Sequence, residues 1–323
     1  MSTTAPAALP GPASPSLAVS VPSSTWRRLR RDRVAMGAFV VVCLVVAAAV
    51  FAPVICRVLG IDPQQFNIDL IDSSTTLPKP PWDSMTIQHP LGVEPANGRD
   101  TLARILYGAR YSLVIAVLAA ALSVVLGLVA GVVAGSGGRV ADSLISRFMD
   151  LMLAFPVLLF SIALVVILRD VDSVLGIGGT ALDVAVLVLI IGFFGFAYIG
   201  RVVRGQVLSL REREFVDAAR SLGASRLFIL RREILPNLLG TLIVYATLLV
   251  PTYILAEAAL SFLGVGLEPP TPSWGQMLST AMATFSVYPL YMLAPGVAIL
   301  LTVLALNLFG DGLRDALDPK GAT

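Results

Sequence analysis

Six long apolar runs constrain this sequence to one class of fold. Each run holds 17 to 24 residues with at most one charge, and a helix needs about 20 apolar residues to cross a bilayer core. The runs are Val34–Cys56, Ser112–Gly135, Leu151–Leu168, Val184–Gly200, Leu238–Leu260 and Pro289–Phe309. Only 14% of the residues are charged, against about 25% in soluble domains. The sequence therefore predicts an all-α integral membrane protein with six transmembrane helices.

Basic residues predict the orientation of these helices. Six crossings place both termini on one side of the membrane together with two connecting loops, which gives segments 1–33, 136–147, 201–237 and 310–323. These four segments hold 17 of the Lys and Arg residues, and the three segments on the other side hold 6. Because Lys and Arg are enriched in cytosolic loops, we expect both termini and the long 201–237 loop to be cytosolic.

The rest of the chain divides into tails and a core. Its first 25 residues are uncharged and rich in Ala, Pro, Ser and Thr, so we assign 1–33 to a disordered cytosolic tail with a basic end. Segment 34–56 follows as the first transmembrane helix and an uncleaved signal anchor. We assign 112–309 to a core domain of five transmembrane helices that includes loop 201–237. The remaining residues, 310–323, form a cytosolic C-terminal tail.

The extracytoplasmic loop 57–111 is unusually long for a connection between two membrane helices. Near its end, apolar residues recur at helical spacing, namely Leu102, Ile105, Leu106 and Ala109. This stripe predicts an amphipathic helix that lies at the outer membrane interface. The alternative is a linker that only connects the first two helices.

A polar, Arg-rich segment, Glu214–Pro236, separates the fourth and fifth runs. Its first part predicts a short amphipathic helix with an apolar and a polar face. The apolar face carries Phe215, Ala218, Ala219 and Leu222, and the polar face carries Glu214, Asp217 and Ser221. Gly223 follows at the place where a helix end favours a left-handed residue.

The second part of this segment predicts another short helix. Ser225 can cap its N-terminus, and Pro236 stops or kinks it. The apolar residues of this second helix are Leu227, Phe228, Leu230 and Ile234. Two short helices joined by a sharp turn suit docking into a groove of a partner protein. The alternative is an amphipathic loop that rests on anionic lipid, which its arginines would favour.

The segment resembles the "EAA" cytoplasmic loop of permease subunits of binding-protein-dependent ABC importers. In that family a Glu-Ala-Ala triplet, a Gly and a final Leu-Pro pair occur in order, and here they are Asp217-Ala218-Ala219, Gly223 and Leu235-Pro236. Asp217 departs from the usual Glu, which keeps the charge and shortens the side chain. Two further stretches, His89–Arg110 and Asn307–Pro319, resemble C-type permease subunits of the dipeptide, oligopeptide and nickel branch.

This resemblance implies a type I ABC importer permease fold in a bacterial inner membrane. The implied partners are a homologous permease subunit, two ABC ATPase subunits and an extracytoplasmic solute-binding protein, besides the lipid bilayer. The implied substrates are di- or oligopeptides, with nickel or another small solute left open. The residues implied to contact the ATPase are Glu214, Phe215, Asp217, Ala218, Ala219, Gly223, Leu235 and Pro236.

The sequence lacks a nucleotide-binding motif. A P-loop requires Gly-Lys-Ser or Gly-Lys-Thr, and neither of the two lysines, Lys79 and Lys320, follows a glycine. The Gly-rich segment Gly131–Gly138 is typical of close helix packing or a turn. If ATP drives this protein, ATP and its magnesium ion must therefore bind to partner subunits.

Metal, disulfide and catalytic chemistry are not indicated either. His89 is the single histidine and has no His or Cys neighbours in sequence. Cys43 and Cys56 are separated by roughly 20 Å of helix, which is too far for a disulfide. A net charge of +2 gives no sign of a nucleic-acid partner. We expect a non-catalytic chain without a cofactor or metal of its own.

Glu257 is the one acid inside an apolar run, and buried charge in a membrane usually has a role. It faces either the translocation path or a polar interface with a neighbouring helix. Pro251, in the same run, frees a backbone carbonyl and can act as a hinge. A stand-alone secondary transporter would show inverted repeats with broken helices, and a membrane enzyme would show clustered catalytic side chains. Neither pattern is apparent in the sequence.

Overall fold

The computed structural model describes residues 22–80, 84–168, 173–174 and 176–317. Nearly all of the regular structure is helical. The helices are α1 Pro22–Arg31, α2 Arg33–Val50, α3 Ala52–Leu59, α4 Thr101–Ser136, α5 Arg139–Ala154, α6 Val157–Leu168, α7 Thr180–Arg211, α8 Glu214–Ser221, α9 Arg226–Ile229, α10 Leu235–Phe262, α11 Trp274–Ala281 and α12 Leu290–Leu317. A 3₁₀ turn covers Ile68–Leu70, a π turn covers Leu230–Ile234, and β1 Ser173–Val174 pairs with β2 Ile177–Gly178.

Five helical segments of the described chain are long and apolar enough to cross a membrane. They are Arg33–Val50, Thr101–Ser136, Thr180–Arg211, Arg226–Phe262 and Leu290–Leu317. A sixth span results if α5 and α6 are counted together, although they are bent by 76°. The prediction of an all-α membrane protein is therefore confirmed, with the third predicted run as a broken span.

The break between α5 and α6 has a local cause at Pro156. A proline disfavours helical backbone in the residue before it, and Phe155 is extended, with φ −76° and ψ 132°. The predicted cytosolic segment 136–147 is also more ordered than a loop. Most of it belongs to α5, which begins at Arg139.

Glycines allow α4 and α7 to approach closely at the centre of the bundle. Gly127, Gly131 and Gly135 recur every fourth residue on one face of α4. A Cβ atom at Gly131 would lie 2.6 Å from the Gly200 carbonyl oxygen. At Gly135, a Cβ would lie 2.7 Å from the Val207 Cβ. Such small-residue stripes let membrane helices pack backbone against backbone, so the close-packing interpretation of the Gly-rich segment is confirmed.

The predicted interfacial helix of the outer loop is wrong in its placement. Its residues form the first turns of α4, which starts at Thr101 and continues into the membrane span. Leu106 and Ala109 are buried against neighbouring helices and do not lie on a lipid surface. The helix begins here because the Asp100 carboxylate accepts a hydrogen bond from the Ala103 amide at 2.6 Å.

Both predicted tails contain helix within the described residues. Residues 22–31, which the sequence predicts to be disordered, form α1. Residues 310–317 are the last turns of α12. The two ends meet, since Leu29 of α1 packs with Ala35 and Ala316. The remaining tail residues, 1–21 and 318–323, lie outside the described residues.

Candidate functional site

The segment Glu214–Pro236 forms the predicted helix–turn–helix. Its first helix, α8, ends at Ser221, and Gly223 takes a left-handed φ of +81°. The following Ala224 amide donates to the Ala219 carbonyl at 3.0 Å, which closes the turn. Ser225 then caps α9, because its hydroxyl accepts a hydrogen bond from the Phe228 amide at 3.3 Å. Both predicted end signals, Gly223 and Ser225, are confirmed.

The inward face of the segment differs from the predicted one. Val216, which the helical pattern had not included, is fully buried, while Phe215 and Ala219 are half-buried. Ala218 is exposed, and Leu222 is 88% exposed. Leu222 leaves the predicted face because α8 ends before it, so the chain has already turned away.

Apolar side chains therefore point outward at the tip of the segment. We call Leu222, Leu227 and Phe228 the loop tip; they are 88%, 55% and 50% exposed. The opposite side is anchored to the bundle by Ile229 and Ile234, which are buried. Exposed apolar groups clustered beside charged ones are typical of a protein interaction site.

Asp217 lies beside the loop tip on the exposed side of α8. Its carboxylate pairs with the Arg220 guanidinium at 3.0 Å, and both side chains are about half exposed or more. An exposed pair of this kind contributes at most about 1 kcal/mol. Asp217 can therefore exchange Arg220 for a basic group of another protein at little cost. Glu214, one turn earlier, is exposed as well.

Pro236 does not stop the second helix, which was one of its two predicted effects. The helical path continues from Arg226 to Phe262 through a π turn at Leu230–Ile234, with half-buried Leu235 and exposed Pro236 after it. A wider turn before the proline accommodates its ring and its missing amide hydrogen. The second part of the loop and the membrane span α10 consequently belong to one continuous helical segment.

Ion pairs and a hydrogen bond hold the end of α7, which leads into the loop. Arg204 of α7 pairs with Asp142 of α5, with Nη2 and Oδ2 2.8 Å apart. Arg201 pairs with Asp150 in the same way. The Arg211 guanidinium donates to the Gly135 carbonyl at 2.6 Å. The end of α7 is thus held to α4 and α5 just before the loop begins.

Glu257 is fully buried at the meeting point of three helices. Its carboxylate accepts hydrogen bonds from Ser112 of α4 at 2.9 Å and from Ser261 of α10 at 2.7 Å. The Ser112 hydroxyl in turn accepts from the Trp274 amide of α11 at 3.3 Å. These contacts place Glu257 at a polar helix interface, which was one of its two predicted settings.

Sequence reasoning missed a buried charge cluster near the start of α4. We call Glu94, Arg99, Arg104, Gln276 and Tyr291 the outer polar cluster. Glu94 pairs with Arg99 at 2.9 Å and accepts a hydrogen bond from the Tyr291 hydroxyl at 3.0 Å. Arg104, fully buried, donates to Gln276 at 2.8 Å. The cluster ties the loop before α4 to α11 and α12.

A sequence signal for part of this cluster was available. Ser273 and Gln276 have the Ser-x-x-Gln spacing of a helix start, and the Ser273 hydroxyl accepts from the Gln276 amide at 3.1 Å. Glu94 carried no comparable local signal, because Tyr291, which donates to its carboxylate, is 197 residues away in the chain. Within the described residues, no three His, Cys, Asp or Glu side chains are grouped to hold a metal ion.

Comparison with known families gives two matches. Residues 123–322 match the family described as binding-protein-dependent transport system inner membrane component. Residues 23–80 match the N-terminal TM domain of oligopeptide transport permease C.

Individual relatives agree with these matches. The chain is 41% identical over 295 residues to a glutathione transport system permease protein GsiD of Shigella flexneri serotype 5b, covering 91% of this chain and 89% of that protein. It is 40% identical, with the same coverage, to GsiD of Escherichia coli O157:H7. A chain of the inward-facing MetNI methionine ABC transporter structure aligns with a TM-score of 0.51 and 21% identity, over 66% of this chain and 96% of that one.

Proposed function

The chain belongs to the family of binding-protein-dependent transport system inner membrane components, and from this premise we propose that it forms half of the translocation pathway of an ATP-driven importer for di- or oligopeptides. As an ABC permease subunit it is a non-catalytic membrane component. A peptide substrate is supported by the match to the oligopeptide permease C domain. The similar GsiD proteins are named for the transport of glutathione, which is itself a small peptide.

Energy coupling is assigned to the Glu214–Pro236 loop. The observation that carries this assignment is the loop tip, three apolar side chains that are half exposed or more on a scaffold anchored by Val216, Ile229 and Ile234. An ATPase subunit with an apolar cleft and a basic residue would bury the tip and pair with Asp217. Because α9, the π turn and α10 are continuous, a displaced loop would move the membrane span with it.

The complete importer would contain two permease chains, two ATPase subunits and a solute-binding protein. The second permease is a homologous chain, so that the two loops each contact one ATPase. Both termini and the loop lie in the cytosol of a bacterial cell, in keeping with the basic residues of these segments. ATP and magnesium bind in the ATPase subunits.

Nickel or another small solute is the second candidate substrate, because the branch that the chain resembles includes nickel permeases. The family excludes the alternative of a stand-alone secondary transporter. Members of this family are components of a binding-protein-dependent system, and such a component does not transport alone.

Transport by the assembled importer tests the substrate. The complex is reconstituted in liposomes, and uptake and ATP hydrolysis are measured with the binding protein loaded in turn with a dipeptide, a pentapeptide, glutathione or Ni²⁺. We expect stimulation by at least one of the peptides and none by Ni²⁺. Stimulation by Ni²⁺ alone would contradict the peptide assignment while leaving the permease assignment intact.

A further inference from the structure

A groove lies between α2 and α4 on the surface of the bundle. Its volume is about 500 Å³. One wall is a valine-rich stripe of α2 that runs from Val42 to Val50, and α10 and α12 form the floor. The facing wall is one stripe of α4, at helical spacing, formed by Arg110, Leu113, Val114, Val117 and Leu118.

Arg110 is the only charged residue that lines this groove. The side chain is exposed and forms no hydrogen bond or ion pair with any described residue. Thr302 on the floor offers no free donor, because its hydroxyl already donates to the Ala298 carbonyl at 2.7 Å. The groove is therefore an apolar channel with a single unpaired cation at one end.

The position of Arg110 along the bundle corresponds to a membrane boundary. From Arg33 to Val50, α2 rises about 26 Å, close to the roughly 30 Å of a bilayer core. Beyond Val50, the Ala52–Leu59 helix packs on Leu106, one turn before Arg110. The other end of α4 lies beside the Glu214–Pro236 loop, through the hydrogen bond of Arg211 to Gly135. Arg110 thus lies at the end of the span remote from that loop, where a bilayer of this thickness is expected to place its lipid phosphates.

The length of the groove matches one leaflet of a bilayer. From Arg110 to Leu118 the α4 stripe is about 12 Å long, which is close to the thickness of one hydrocarbon leaflet of about 15 Å. The apolar part of the stripe therefore has the length of one acyl chain in a single leaflet.

We infer that this groove binds one phospholipid from the leaflet remote from the Glu214–Pro236 loop. An acyl chain lies between the α2 and α4 stripes, and the phosphate accepts hydrogen bonds from the Arg110 guanidinium. Arginine suits this role because its planar donors match phosphate oxygens and it stays charged. The lipid would occupy the groove beside α2, which lies outside the matched core segment 123–322.

A photoactivatable phospholipid tests the site in the assembled importer. Phosphatidylglycerol with a photoreactive group in one acyl chain is incorporated into nanodiscs with the complex, and cross-linked peptides are quantified by mass spectrometry. We expect cross-links within residues 42–50 and 113–118. Arg110→Gln should reduce them roughly tenfold, as expected for loss of a charge-assisted hydrogen bond. Val117→Trp, which fills the groove, should reduce them similarly.

Matched controls separate this site from general lipid contact. Arg57→Gln removes another exposed arginine from the same end of the bundle, and Val125→Trp adds bulk at an exposed position of α4 outside the groove. Both should leave the cross-links unchanged, as should excess inorganic phosphate. Equal labelling by a diacylglycerol probe without phosphate would overturn the role of Arg110. Cross-links from the second permease chain to residues 113–118 would overturn lipid occupancy.

Discussion

Single residues of the Glu214–Pro236 loop are placed differently from what helical spacing alone suggests. Val216 anchors α8, whereas Leu222 points outward at the loop tip. The Asp217 carboxylate pairs with Arg220, one turn away on the same helix. The buried anchor and the exposed apolar side chain thus lie on different sides of the loop.

At this scale, Asp217→Lys is expected to weaken binding of the ATPase subunits or to uncouple ATP hydrolysis from transport. A reversed charge repels a basic partner and costs several kcal/mol in a desolvated contact. Repulsion from Arg220 within α8 is small by comparison, about 0.5 kcal/mol or less. Pull-down of the ATPase subunits and substrate-stimulated hydrolysis measure the effect. Asp217→Glu, which restores the residue usual in the family, serves as the control and should be mild.

Gly223→Val is expected to impair transport while the protein still inserts into the membrane. A β-branched residue is strained at the observed φ of +81°, with a cost of about 1–3 kcal/mol. No atom lies within 4 Å of a Cβ at this position, so the defect arises from the backbone and not from a clash. Uptake in liposomes provides the measurement. Gly223→Asn, which tolerates left-handed backbone, should retain more activity, and equal uptake by the Val variant would show that the turn is dispensable.

Among the helices, the pair α4 and α7 depends on a stripe of glycines. The substitution Gly131→Ala is expected to destabilise the protein by about 1–3 kcal/mol through overpacking. A Cβ there would lie 2.6 Å from both the Gly200 carbonyl oxygen and the Val203 Cβ. The thermal midpoint of the purified complex should fall. Gly205→Ala on α7 meets no atom within 4 Å and should leave the midpoint unchanged or raise it; equal destabilisation by both would refute close packing as the cause.

Across the whole molecule, the orientation in the membrane stays a prediction from the distribution of basic residues. In a variant without Cys43 and Cys56, Ser225→Cys is expected to resist an impermeant thiol reagent added outside intact cells. Ser73→Cys, in the loop before α4, should react. Both positions are exposed, so accessibility in the folded chain does not limit either reaction. Labelling of position 225 from outside would reverse the topology and remove the loop from the reach of the ATPase.

The sequence by itself determined the class of the fold and the family. Apolar runs long enough to cross a bilayer leave helices as the available structure, and this expectation needed no tertiary information. The Gly223 turn and the Ser225 cap were also predictable, because a left-handed residue and a helix cap depend on neighbours in the sequence. The family resemblance rested on the same local segment and is borne out by the matched families.

Only the tertiary structure decided which side chains meet across the bundle. Glu94 pairs with Arg99, but its hydrogen bond from Tyr291 joins residues far apart in the chain, and no local pattern encodes such a partner. The setting of Glu257 required Ser112 from another helix. The groove beside Arg110 is lined by stripes from α2 and α4 together with residues of α10 and α12. Spacing in a sequence specifies the face of a helix, whereas packing of several helices decides what that face contacts.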